Sequence, residues 1–173
     1  TFARGAYKIQ VDIDPTAIDK NVLVDLPIVG DVKQVITELT AEMPAQSQID
    51  NWWKQIEKWQ QECPLHYETD DGQLRTQYVL ERISDRTRGN AVIVTDVGQH
   101  QMWTAQYYKF TQPRTLLTSG GLGTMGFSVP AAVGAAFGVQ DKPIISISGD
   151  GGFQMNMQEL ITAVANKLPI KFI

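Results

Sequence analysis

The chain has 173 residues, 43% apolar and 20% charged, with a net charge of −4 and a single cysteine. That is material for one globular domain, or one domain plus part of another, and it offers neither a basic stripe for nucleic acid nor an apolar run of membrane-spanning length. Cys63 has no second cysteine to pair with and reads as an ordinary thiol near a helix end, so a reducing, cytoplasmic setting is expected, the bacterial cytosol first and a plastid or mitochondrion as alternatives.

In chain order, Tyr7 to Asp14 alternates as a strand does and ends in the turn signal Asp14-Pro15. Asp31 and Gln34 have capping-box spacing, and Val32, Val35, Ile36, Leu39 and Met43 follow at helical spacing before Pro44 closes the helix. Residues 1–44 therefore read as the closing strand and helix of an α/β domain. The first residues lack the charged-then-apolar layout of a secretory signal, and Thr1 at one end and the strand-like Pro169 to Ile173 at the other both look cut. The expectation is an internal piece of a longer protein.

Residues 45–72 read as a helical linker that packs down. Ser47 to Glu62 carries Ile49, Trp52, Trp53, Ile56 and Trp59 as a packing stripe, Cys63-Pro64 ends it, and Asp70-Asp71-Gly72 is a turn. From residue 73 to 173 the rhythm changes. A helix from Gln73 to Arg86, with Leu74, Tyr78 and Ile83 inward, leads into a strand at Ala91 to Thr95, a helix at Gln99 to Tyr108 and a strand at Thr115 to Thr118. A glycine-rich turn at 120–126, a small-residue helix from Ser128 to Phe137, a strand at 143–148, a helix from about Met157 to Asn166 and a final strand complete the series. Such alternation predicts an α/β fold with a doubly wound parallel sheet.

Ligands of such sheets sit at the carboxyl ends of the strands, where three loops of this chain collect its unusual residues. In the first, Asp96-Val97-Gly98-Gln99-His100, the histidine is an acid/base or anion-orienting group, or simply a helix-start imidazole with its bonds satisfied. His66, after a proline in the linker, reads as surface. The second loop, Gly120 to Gly126, contains Gly121, Gly123 and Gly126 at G-x-G-x-x-G spacing, which makes a nicotinamide fold the natural rival. That rival also needs an acid at the end of the next strand: Asp141 lies before it, and Asp150 is embedded in glycines. Met125 is either a gap filler or an apolar arm under an aromatic cofactor. In the third loop, Gly149-Asp150-Gly151-Gly152, Asp150 offers a hard oxygen suited to Mg²⁺ beside phosphate, with glycine backbone close by.

Together, Val97 to Trp103, Thr118 to Phe127, Pro130 to Ala135 and Gly149-Asp150-Gly151 resemble the diphosphate-binding domain of thiamine diphosphate enzymes, and within it the acetohydroxyacid synthase (acetolactate synthase) catalytic-subunit family. Val11 to Pro15 and Pro27 to Asp31 resemble the last strand and helix of that family's flavin-binding central domain. The 97–127 stretch favours this family over pyruvate oxidase, glyoxylate carboligase or benzoylformate decarboxylase.

The resemblance implies a set of roles. Asp150 would ligate Mg²⁺; Val97, Gly98, Gln99 and His100, Gly123 and Thr124, and Gly149, Gly151 and Gly152 would line the cofactor; Met125 would hold thiamine bent. It implies decarboxylation of pyruvate and transfer of the hydroxyethyl unit to a second 2-oxo acid, pyruvate or 2-oxobutyrate, within branched-chain amino acid synthesis. FAD, a homodimer or larger assembly with the active site at the subunit interface, and a regulatory subunit belong to the same expectation. The Asn pair that closes the family's metal motif and its activating glutamate match no residue here, Asn156 being too early and Glu159 misplaced, so no catalytic residue is assigned and this piece alone is expected to be inactive. Another thiamine diphosphate carboligase, decarboxylase or oxidase, an NAD-binding domain, and a non-catalytic α/β binding module are the alternatives.

Overall fold

A computed structural model describes residues 2–43, 49–69 and 72–173, and the chain divides into two compact units between Cys63 and Pro64. In the first unit, strand β1 (Ile9–Asp12) pairs in parallel with β2 (Leu26–Val29), Ile9 opposite Leu26 and Asp12 opposite Val29. The strand expected over Tyr7 to Asp14 is cut short because Asp12 and Asp14 turn their carboxylates onto the backbone ahead, to the N–H groups of Asp14 at 2.9 Å and Thr16 at 2.8 Å. The residue pattern shows one strand here and the structure has two. Pro27 hides β2 from a propensity reading, yet a strand with a single neighbour tolerates a missing N–H.

Helix α1 (Val32–Glu42) starts where expected. Asp31 accepts from the N–H groups of Lys33 at 2.9 Å and Gln34 at 3.2 Å, while the Gln34 amide donates forward to Glu38 at 3.0 Å, so the cap is one-sided rather than reciprocal. Pro44, the residue expected to close α1, and Ser47 lie outside the described residues, as do Asp70 and Asp71 of the expected turn. Helix α2 (Asp50–Glu62) carries the tryptophan stripe. Trp52 and Trp59 meet edge to face with centroids 5.6 Å apart, but Trp52, Trp53 and Trp59 each stay half exposed, so within this unit the stripe is not a buried packing face.

The second unit is built on a four-stranded parallel sheet in the order β4-β3-β5-β6, with β3 (Val92–Thr95) and β5 (Ile144–Ile147) central, β4 (Leu116–Thr118) on one edge and β6 (Ile170–Phe172) on the other. The two central strands are buried throughout, which is why they read as unbroken apolar runs. On one face, Ile93, Ile145 and Ile147 pack with Leu80 of α3 (Thr76–Thr87) and Tyr107 of α4 (Gln99–Tyr107). On the other, Val92, Val94 and Ile144 pack with Ala132 and Ala136 of α5 (Ser128–Gly138). The alternation of side chains along each strand thus supplies two cores, and the doubly wound parallel sheet is confirmed. The small residues of α5 serve its close approach to the sheet.

Two local expectations fail. Helix α3 starts at Thr76, and it turns Leu80 and Ser84 inward rather than Leu74 and Tyr78, which are exposed. Ser84 belongs to the buried stripe because its Oγ accepts the Lys109 N–H at 3.0 Å. Beyond β5, a helix not foreseen, α6 (Asp150–Met155), begins at the aspartate itself. A 3₁₀ turn at Met157–Glu159 and the short α7 (Leu160–Ala165) stand where a single helix was expected.

Candidate functional site

The chain runs from β3 outward to β4, then returns to the opposite side of β3 for β5. The loops leaving β3 and β5 therefore diverge, and the crevice between their carboxyl ends is the topological switch point at which open α/β sheets bind ligands. Gly98 and His100 lie on one side of this crevice and Gly149 and Asp150 on the other. The His100 ring bridges them: a Cβ added to Gly98 would stand 2.9 Å from His100 Cε1, and one added to Gly149 would stand 3.1 Å from the same atom. Gly98 also holds φ at +153°, a conformation that side chains resist.

The second, glycine-rich loop joins through Met125, whose Cε would lie 3.2 Å from a Cβ on Gly151. Its neighbour Gly126 is buried, and its N–H donates to Asp96 Oδ2 at 3.1 Å. The Asn156 amide donates to the Gly126 carbonyl at 2.8 Å, which commits Asn156 to structure. Thus all three predicted loops meet. Gly123, at φ +66°, and Thr124, whose N–H reaches Ser119 Oγ at 2.9 Å, shape the exposed outer part of the middle loop, with Leu122 almost wholly in solvent. Val97 is half-buried and Gln99 exposed on the first rim.

Asp150 stands exposed at the first position of α6, and among the described residues its carboxylate has no hydrogen-bonding or ionic partner. It sits between two glycines that abut His100 and Met125, so it lies on the same rim. Among the described residues no three His, Cys, Asp or Glu side chains group as a metal site. A cation here would rest on Asp150 together with ligands from elsewhere, which fits Mg²⁺ shared with a diphosphate. Gly98, Gly149 and Gly151 line the crevice without side chains of their own, with the His100 ring against the first two and Met125 against the third.

Sequence reasoning passed over Asp96. It is fully buried, its Oδ1 lies 2.5 Å from His100 Nε2 and its Oδ2 holds Gly126, while a Cβ on Gly152 would fall 1.5 Å from Oδ2. The signal available was the second glycine of Gly151-Gly152, which occupies no left-handed turn and so marks a close approach. That approach also explains why α6 carries a poor helix former at Gly152. The geometry disfavours the nicotinamide reading as well, since the glycine loop follows the edge strand β4 rather than one of the two strands that flank the switch point, and Gly126 is sealed by Asp96 and Asn156.

Comparison with known proteins agrees. Residues 96–173 match the family described as thiamine pyrophosphate enzyme, C-terminal TPP binding domain. This part of the chain, somewhat under half of it, is similar to that family of thiamine diphosphate-binding domains.

The particular relatives are narrower in kind. The chain is 42% identical over 175 residues to the acetolactate synthase isozyme 3 large subunit of Escherichia coli (strain K12), a match covering 98% of this chain and 30% of that protein. It is 46% identical over 177 residues to the acetolactate synthase of Mycobacterium leprae (strain TN), covering 99% and 28%. Among solved structures, a protein described as a thiamin diphosphate-dependent enzyme from Mycobacterium smegmatis superimposes with a TM-score of 0.72 at 27% identity, over 95% of this chain and 31% of that one. The chain spans about 30% of the length of the curated relatives it matches.

Proposed function

We propose that this chain supplies the cofactor-binding rim of a thiamine diphosphate-dependent acetolactate synthase, an enzyme that condenses pyruvate with a second 2-oxo acid and releases CO₂. The observation that carries the reading is the meeting of three loops at the switch point, with an Asp150 carboxylate that has no partner among the described residues, held between glycines packed on His100 and Met125. The family match and the relatives' names support it from the sequence side.

When bound, the cofactor supplies an electron sink for loss of CO₂ from a 2-oxo acid. The chain's own residues bind and orient it. Asp150 would ligate Mg²⁺ and through it the diphosphate; Gly98, Gly149 and Gly151 would let the phosphates approach backbone, while Gly152, buried against Asp96, shapes the rim from behind; His100 lines the same side. Met125, half exposed, presents its thioether at the rim as an apolar support for an aromatic ring. FAD, bound by the part of the protein to which the first unit belongs, and an assembly of at least two copies complete the proposal.

Calorimetric titration with thiamine diphosphate plus Mg²⁺, against NAD⁺, tests it. Thiamine diphosphate should bind in a Mg²⁺-dependent way, and Asp150→Ala should remove that dependence while leaving the melting temperature unchanged. Binding of NAD⁺ in its place, or Mg²⁺ dependence that survives Asp150→Ala, would overturn the assignment.

A further inference from the structure

The buried carboxylate of Asp96 has no part in the roles above, yet it touches all three loops. Its Oδ1 meets His100 Nε2, its Oδ2 accepts the Gly126 N–H, and Gly152 backs directly against it. A carboxylate only accepts hydrogen bonds, so the imidazole nitrogen facing it must carry the proton. The opposite edge of the ring, Nδ1 and Cε1, is the one turned to Gly98 and Gly149: a Cβ on Gly98 would lie 3.0 Å from Nδ1 and one on Gly149 3.4 Å from it.

Resting on the reading of the site given above, we propose that Asp96 is a positioning residue that holds His100 with Nε2–H inward and aims Nδ1 into the cofactor crevice. The same carboxylate, through Gly126, fixes the loop that carries Met125. Asp96 therefore sets two rims of the site from behind without touching the ligand. Partners that orient a metal-ligating histidine are worth about ten- to a hundredfold in affinity or activity, and the lower end of that range sets the scale for a histidine that lines a cofactor.

Asp96→Asn separates orientation from bulk. The amide keeps the size, and its oxygen can still accept from Gly126, but its NH₂ then faces His100 Nε2 and forces the proton onto Nδ1. In ¹⁵N-labelled, ligand-free chain, long-range ¹H–¹⁵N spectra should show His100 as the Nε2–H form in the wild type and as the Nδ1–H form in Asp96→Asn. Affinity for thiamine diphosphate with Mg²⁺ should fall about tenfold or more in Asp96→Asn, and the same change made in a His100→Ala background should cost nothing further. A wild-type His100 in the Nδ1–H form overturns the proposal whether or not any variant folds. So does an exchanged tautomer with unchanged affinity, or a full loss that persists without His100. A wild-type chain that binds no thiamine diphosphate instead overturns the reading of the site, a result separate from the tautomer.

Discussion

Gly152→Ala puts the closeness of α6 to Asp96 to a direct test. Helix propensity alone would make this exchange favourable by about 1 kcal/mol, since Gly152 lies inside α6. Against that, the new methyl would stand 1.5 Å from Asp96 Oδ2 and 2.6 Å from Cγ, and Asp96 is a fully buried side chain rather than a flexible surface arm. Overpacking costs about 1–3 kcal/mol, and displacing the carboxylate from His100 or Gly126 costs about 1.5–3 kcal/mol for each charge-assisted bond lost. The net expectation is a loss of about 2–4 kcal/mol, which for a unit of roughly a hundred residues lowers the melting temperature by about 10–20 °C. Thermal and urea melts followed by far-UV circular dichroism would read it. Gly134→Ala is the control, because nothing lies within 4 Å of its Cβ, and it should be neutral to slightly stabilising. In an Asp96→Ser background the cost of Gly152→Ala should shrink below about 1 kcal/mol, as coupled neighbours require. A Gly152→Ala chain as stable as the wild type would refute the close approach.

Asp31→Ala removes both acceptor contacts at the start of α1 and should cost the first unit about 1 kcal/mol, seen as a lower urea midpoint. Ser84→Ala leaves the Lys109 N–H without its acceptor and should cost about 1–3 kcal/mol, with no effect on ligand binding. The Tyr67 hydroxyl donates to Glu81 Oε2 at 2.5 Å, and this bond pushes its pKa up to about 12. A raised tyrosine pKa stabilises the fold below the ordinary value near 10, and the contribution disappears as pH climbs from there through 12. Absorbance titration of phenolate should show one tyrosine ionising late, and Glu81→Gln should bring it back towards the others.

Much of the second unit was legible because its signals are local. The runs at 91–95 and 143–148 are apolar on both faces and could only be central strands of a covered sheet, while the clustering of glycines with Asp150 marked the edge at which the three loops meet. What escaped depends on contacts distant in sequence. Ser84 joins an apolar stripe because Lys109 meets it from another segment, so counting apolar residues alone set α3 in the wrong phase. Helix α6 runs through Gly151 and Gly152 against their propensity, and at Gly152 Asp96 leaves no room for a side chain. Asp96 itself looked like the first residue of a loop, and only the arrival of Gly126 and Gly152 makes it a buried centre.

Because one carboxylate ties together stretches near residues 96, 126 and 152, no fragment shorter than that span contains the rim. Loop closure over such distances is slow compared with the formation of the individual helices. The crevice exists only where β3 and β5 lie side by side, so a chain that lacks either strand lacks one of its two walls.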